Sequence, residues 1–132
     1  MTNGSGRLLL LMSALVMSGT AAHASGFVND GIAWQKMSTD SQAAYIQGIN
    51  DASNFIYLND DLATATIKLA RTRCLIEQKS TAAVLAFQIS SAYAANRAAL
   101  SQPPLAVYVM IMTGNCRNYI NQERARLGLP PT

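Results

Sequence analysis

At 132 residues the chain has room for one compact domain around one core. Half of its residues are apolar and 13% are charged, which excludes a disordered polyelectrolyte and a coiled-coil rod. A formal net charge of +3 is too small to imply nucleic acid as a partner.

The first segment reads as a secretory leader. Met1–Arg7 is polar with one positive charge, Leu8–Val16 is an apolar run broken by Ser13, and Ala22-His23-Ala24 is a small-x-small cleavage site. The run falls short of the ~20 residues that span a bilayer. Residues 1–24 are therefore expected to be a cleaved signal peptide and residues 25–132 a single exported domain in the periplasm. Arg7 leaves with the leader, so nine of the 10 Lys and Arg stay against seven Asp and Glu. The single His, His23, also leaves. That excludes a Ser-His-Asp or Cys-His nucleophile, a His-ligated metal and a His pH switch.

Ser25–Met37 carries Phe27, Ile32 and the one Trp, Trp34. Ser38-Thr39-Asp40-Ser41 then offers helix N-caps. Tyr45, Ile46, Ile49, Ala52 and Ile56 follow at helical spacing as one apolar stripe. Gly48 interrupts that helix, a position that often marks the close approach of another element, and Asn59-Asp60-Asp61 ends it and caps the next. Leu62–Leu75 is expected to be a short helix running toward Cys74, with Leu62, Ala65, Leu69 and Ala70 on its apolar spacing. The β-branched Thr64, Thr66 and Ile67 weaken it. Ser80-Thr81 caps a helix whose stripe is Leu85, Ile89, Ala92 and Tyr93, flanked by Val84 and Phe87. Pro103-Pro104 marks a stop and restart. Leu105–Met112 is expected to be an apolar helix buried on most sides, and the longest such stretch after the leader, too short to span a membrane. Gly114-Asn115 either breaks it or lets it run on through Cys116 to Tyr119 and Ile120. Asn121–Arg126 is polar and basic, and Gly128 and Pro130-Pro131 end it.

Cys74 and Cys116, 42 residues apart, are expected to form one disulfide in an oxidising compartment. Chain entropy alone assigns a loop of that size ~4 kcal/mol of stabilisation. With no strand pattern and no repeat, the fold class is all-α: a small bundle of four to five helices with one disulfide. The bond is expected to tie the start of the Ser80–Asn96 helix to the end of the Leu105 helix, which a short turn would make antiparallel.

No catalytic constellation stands out, and neither a cofactor nor a metal ion is expected. Asp60-Asp61 reads as a helix N-terminus rather than an acid–base pair, and the Asp51–Asn54–Asp60 group lacks the spacing of a calcium loop. If the disulfide forms, Arg71, Arg73 and Arg117 fall near one end of the bundle, where they read either as solvated cations near a helix end or as a contact patch for an acidic partner. Arg124 and Arg126 add charge to the tail. Most of Trp34, Tyr45, Tyr57, Tyr93, Tyr108 and Tyr119 are expected in the core or at its edge.

Gly31-Ile32-Ala33-Trp34, followed by Tyr45-Ile46-Gln47-Gly48-Ile49-Asn50-Asp51-Ala52, resembles the Rap/Tai-type immunity proteins of type VI secretion. The resemblance covers most of residues 27–116 and extends to Cys74, Ser80-Thr81, Pro103-Pro104 and Cys116. The chain departs from the family pattern at Leu75-Ile76-Glu77, at Gly114-Asn115 and in its tail after Cys116. The resemblance implies a small, exported, non-enzymatic helical protein whose partner is a cognate toxin or effector, such as a peptidoglycan amidase, neutralised in the periplasm by occlusion of its active site. Its motif positions here, Trp34, Tyr45, Gly48 and Asp51, read physically as packing and capping residues. A homo-oligomer is compatible with this reading. The alternative is a periplasmic acid-stress chaperone of the HdeA kind, and a third reading is an accessory domain without a dedicated partner.

Overall fold

A computed structural model describes residues 28–132; the expected leader, its cleavage site and Phe27 lie outside the described residues. Among the described residues every regular element is helical. They are α1 (Gly31–Gln35), α2 (Thr39–Asn54), α3 (Leu62–Glu77), α4 (Ala82–Ala95), a 3-10 helix (Arg97–Ser101), α5 (Pro104–Asn115) and α6 (Arg117–Arg126). None is long and apolar enough to cross a membrane.

Local chemistry sets the boundaries. Asp30, Ser38, Asp61 and Thr81 each accept the N–H of the third residue into the helix they start, at Ala33, Ser41, Thr64 and Val84. Each satisfies a donor that has no partner inside the helix. Asn96 does the same for the 3-10 helix, and Pro104 takes the first position of α5, where its missing N–H costs nothing. The expected alternative at Gly114-Asn115 resolves as a break: Cys116 is the corner between α5 and α6. That break and the separate α1 bring the bundle to six α-helices. At the far end Gly128 takes a positive φ of 68°, and the chain folds back along α6. There Arg124 Nε donates to Pro130 O, and Thr132 N to Asn121 Oδ1.

The helices pack as two main pairs, α2 along α4 and α3 along α6, with α5 against α4 and α6 and α1 on the 3-10 helix. Trp34, Ile46, Ile89, Tyr93, Tyr108 and Met112 fill the shared core. Its polar atoms are matched: Trp34 Nε1 donates to Ser90 Oγ at 3.0 Å, and Tyr93 OH to Gln102 O at 2.9 Å. Burial pushes the Tyr93 phenol up to about 12. The Tyr93 ring also lies against Gly31, where a Cβ would come within 2.7 Å of it. That is why α1 needs glycine at its first position.

The Cys74–Cys116 disulfide is present and buried, and Cys116 ends the Leu105 helix as expected, but Cys74 belongs to α3 and not to the start of α4. Cys74 lies in the last turn of α3, which is a full sixteen-residue helix, so the bond fastens α3 to the α5–α6 corner. α3 runs unbroken through Thr64, Thr66 and Ile67, and Thr66 turns its hydroxyl back onto the carbonyl of Leu62.

Several packing expectations change. Thr66, Ala70 and Cys74 form the buried line of α3, whereas Leu62 and Leu69 point to solvent. Leu105, Val109 and Met110 of α5 are also exposed, since α5 buries one side only, through Pro104, Val107, Tyr108 and Met112. Gly48 meets nothing within 4 Å and lies on the outer face of α2, so no element approaches it. Ile56 is beyond the end of α2 and does not continue its stripe.

Candidate protein-docking site

α2 ends at Asn54, and its last bond runs from Phe55 N to Asp51 O. The chain then leaves the bundle as Phe55-Ile56-Tyr57-Leu58 before Asp61 starts α3. All four side chains are exposed: Phe55 is 60% exposed and Leu58 fully so. Scattered exposed apolar residues are ordinary, but four in succession at the tip of a loop are not.

The loop is braced. Tyr57 N donates to Asp60 Oδ2 at 2.8 Å, and Asp60 N donates to Tyr57 O at 3.1 Å, which closes a tight turn. Lys68, one and a half turns into α3, donates to both Asp60 oxygens at 3.0 and 2.7 Å and lies 4.6 Å from the Tyr57 ring centroid. The rings of Phe55 and Tyr57 meet edge to face at 5.0 Å. The bonds from Lys68 and from the Tyr57 amide hold the Asp60 carboxyl below the usual carboxylate range.

Beneath the loop, Arg71 caps the end of α2 by donating to Ser53 O at 2.8 Å. Asn50 Oδ1 accepts from both Tyr108 OH and Asn54 Nδ2, each at 2.8 Å. Arg71 Nε and Asn54 Oδ1 are buried without a protein partner, one a donor and the other an acceptor. Among the described residues Arg71 has no carboxylate partner, and burial pushes its guanidinium pKa down.

The three arginines expected to form one patch are dispersed. Arg71 reaches α2 on one flank of α3, and Arg73 reaches Glu123 of α6 on the other, since residues two apart on a helix do not share a face. Arg73 is bonded to both Glu77 and Glu123 at 2.7 Å, which neutralises it. Arg117 opens α6 in solvent. Of the motif residues, Trp34 is buried with Tyr45 packed edge to face at 6.1 Å, while Gly48 and Asp51 are on the outer face of α2. Asp60 and Asp61 part company, one bracing the loop and the other capping α3.

Concave features are modest. One cleft of about 240 Å³ lies between Asn50, Leu75, Ser80 and Leu85, and another of about 340 Å³ lies beside Gln42, Phe87 and Ser90. No Asp, Glu, Lys, Arg, Tyr or Cys lines either, so neither holds an acid–base or nucleophile pair. The chemistry this surface offers is apolar contact by a convex, braced loop. Compared with known proteins, the chain matches no family model, no curated protein and no solved structure.

Helical spacing alone conceals this loop, because Ile56 is in phase with the α2 stripe. One available signal is the polar pair Ser53-Asn54 before Phe55, which ends the periodicity one turn before Ile56.

Proposed function

We propose that this chain is an exported, non-enzymatic binding protein that docks a protein partner through the Phe55–Leu58 loop. The observation that carries this reading is the loop itself: four consecutive apolar side chains held away from the core by the Asp60–Lys68 ion pair. Rigid aromatic and aliphatic anchors of this kind lose little entropy on binding and dominate interface energetics. A protein cleft suits the loop better than an anionic bilayer. Asp51 and Asp61 bracket the loop, and its one nearby ammonium, Lys68, is already neutralised by Asp60.

The partner class comes from the resemblance to Rap/Tai-type immunity proteins. On that reading the partner is a type VI toxin, such as a peptidoglycan amidase, and the loop neutralises it in the periplasm by filling its active-site cleft. The buried disulfide is compatible with an oxidising compartment.

The test is affinity capture at neutral pH with the oxidised chain, residues 25–132, and with its Leu58→Ser variant, from cells grown under secretion conditions. The expected result is one stoichiometric partner with wall-degrading activity that the parent chain inhibits and the variant retains far less well. Equal retention by both proteins would remove the loop from the interface. A captured partner without toxin activity would remove the immunity reading.

A further inference from the structure

The chain leaves α2 without the usual left-handed residue at a helix end. Among the described residues positive φ occurs at Lys79 and Gly128, both elsewhere. Phe55 is instead extended, at φ −67° and ψ 127°, so the backbone runs straight out of the helix. Such an exit leaves the last carbonyls of α2 to find donors elsewhere. The Asp51 carbonyl accepts from Phe55 N–H, and the Ser53 carbonyl accepts from Arg71 Nη2 at 2.8 Å.

Arg71 holds that carbonyl against a desolvation cost. All seven Asp and Glu of the chain lie among the described residues, and none pairs with it. Its guanidinium is partly buried, and burial disfavours the charge. A side chain serving packing alone would be apolar here, because exchanging buried ionic groups for hydrophobes of similar volume is often neutral or stabilising. Lys68 and Arg71 are three residues apart and share one flank of α3. Lys68 holds the tip of the loop through Asp60, and Arg71 holds its root through Ser53. Asn54, the last residue of α2, is tied through Asn50 to Tyr108 of α5, which fixes the root from a second side.

We propose that Arg71 is a positioning residue of the docking loop: by holding Ser53 O it sets the direction in which Phe55–Leu58 leaves α2, and it does so without stabilising the bundle as a whole. One helix then anchors the loop at both ends, and the four apolar side chains meet a partner already ordered, which lowers the entropy lost on binding. The consequence for partner binding rests on the docking role of the loop. The ordering of the loop does not.

Two variants of the oxidised chain test the proposal. Arg71→Met keeps an apolar stem and removes the donor, and Arg71→Lys keeps one donor. In Arg71→Met, backbone amide relaxation is expected to show new fast motion at Ile56, Tyr57 and Leu58. Hydrogen exchange is expected to show roughly tenfold less protection at Phe55 N–H, while the urea midpoint stays level or rises. Arg71→Lys is expected to restore the loop, because the contact uses a single donor. The partner captured by the parent chain should be retained poorly by Arg71→Met and well by Arg71→Lys. A loop as ordered in Arg71→Met as in the parent would overturn the proposal, and poor retention beside that unchanged order would make Arg71 a direct contact instead. A lowered midpoint with protection lost evenly across the helices would overturn it too, as the mark of a purely structural residue. So would failure of Arg71→Lys to restore the loop. Full retention by Arg71→Met, with Leu58→Ser failing, would overturn the positioning role and leave the docking role of the loop standing. Full retention by Leu58→Ser would overturn the docking role alone, with the ordering by Arg71 still supported by its own measurements.

Discussion

Lys68 does three things at one point: it neutralises Asp60, covers the Tyr57 ring and ties the loop to α3. Asp60 in turn fixes the Tyr57 amide. The folded pKa of Asp60 is lowered, first by the bond from Lys68 and then by the bond from Tyr57 N–H. A carboxylate with a lowered pKa adds stability that is present above its unfolded value, 3.8, and is lost only as pH falls through the lower folded value. The brace should therefore be constant from neutral pH to about 4. Hydrogen exchange at the Tyr57 amide, corrected for intrinsic rate, should keep one protection factor over that range. Asp60→Asn should lower it at every pH. Unchanged protection in Asp60→Asn would mean that the turn holds without the ion pair. Two glycines give a contrast at the same scale. Gly31→Ala drives a methyl into Tyr93 and Leu100 and should cost ~1–3 kcal/mol. Gly48→Ala meets open space inside an exposed helix and should gain ~0.5–1 kcal/mol. Urea midpoints of the two variants should move in opposite directions.

At the scale of elements, the disulfide matters for what it joins. α3 and α6 pack along each other, and the Cys74–Cys116 bond closes that pair at the α5–α6 corner. Replacing both cysteines with alanine should cost ~2–5 kcal/mol in urea unfolding. The loss of hydrogen-exchange protection should concentrate in α3 and α6, because α2 and α4 keep their own contact and the buried Trp34. A uniform loss across all helices would instead show one indivisible folding unit. The helices themselves were legible in the sequence because capping residues mark their starts, at Ser38, Asp61 and Thr81. Their orientation was less legible. Leu62 and Leu69 share a spacing with Ala70 that satisfies a helical pattern on either side of α3, and composition favours burying the leucines. The fold buries the small side chains Thr66 and Ala70 instead, with α6 packed along α3. Periodicity thus found the helix but could not choose between its two stripes. The same limit conceals the Phe55–Leu58 loop, whose Ile56 is in phase with α2 although the backbone has already left it.

Across the whole molecule, the exposed apolar surface and the placement of charge bear on the choice between a dedicated binder and an acid-triggered chaperone. A chaperone of the acid-stress kind must unfold, or open, as its carboxylates are protonated. Here the carboxyls of Asp60, Asp61 and Glu77 are all held below their ordinary values: Asp60 chiefly by Lys68, Asp61 by the Thr64 amide it caps and Glu77 by Arg73. By the same sign argument each contributes stability above its unfolded pKa, and none gives it up until pH falls below that value. The sole His, the residue that would respond between pH 5 and 7, is His23, within the expected leader. Thermal unfolding followed by circular dichroism should therefore give nearly the same midpoint at pH 7, 6 and 5 and fall only below about pH 4. Binding of an apolar dye should follow the same course, with a constant low signal from the exposed loop and the outer face of α3 before acid exposes the core. A midpoint already collapsing at pH 5, with dye binding rising in step, would favour the acid-chaperone reading. Loss confined to stronger acid leaves the exposed apolar loop as a surface that is present at neutral pH, where a specific partner would meet it.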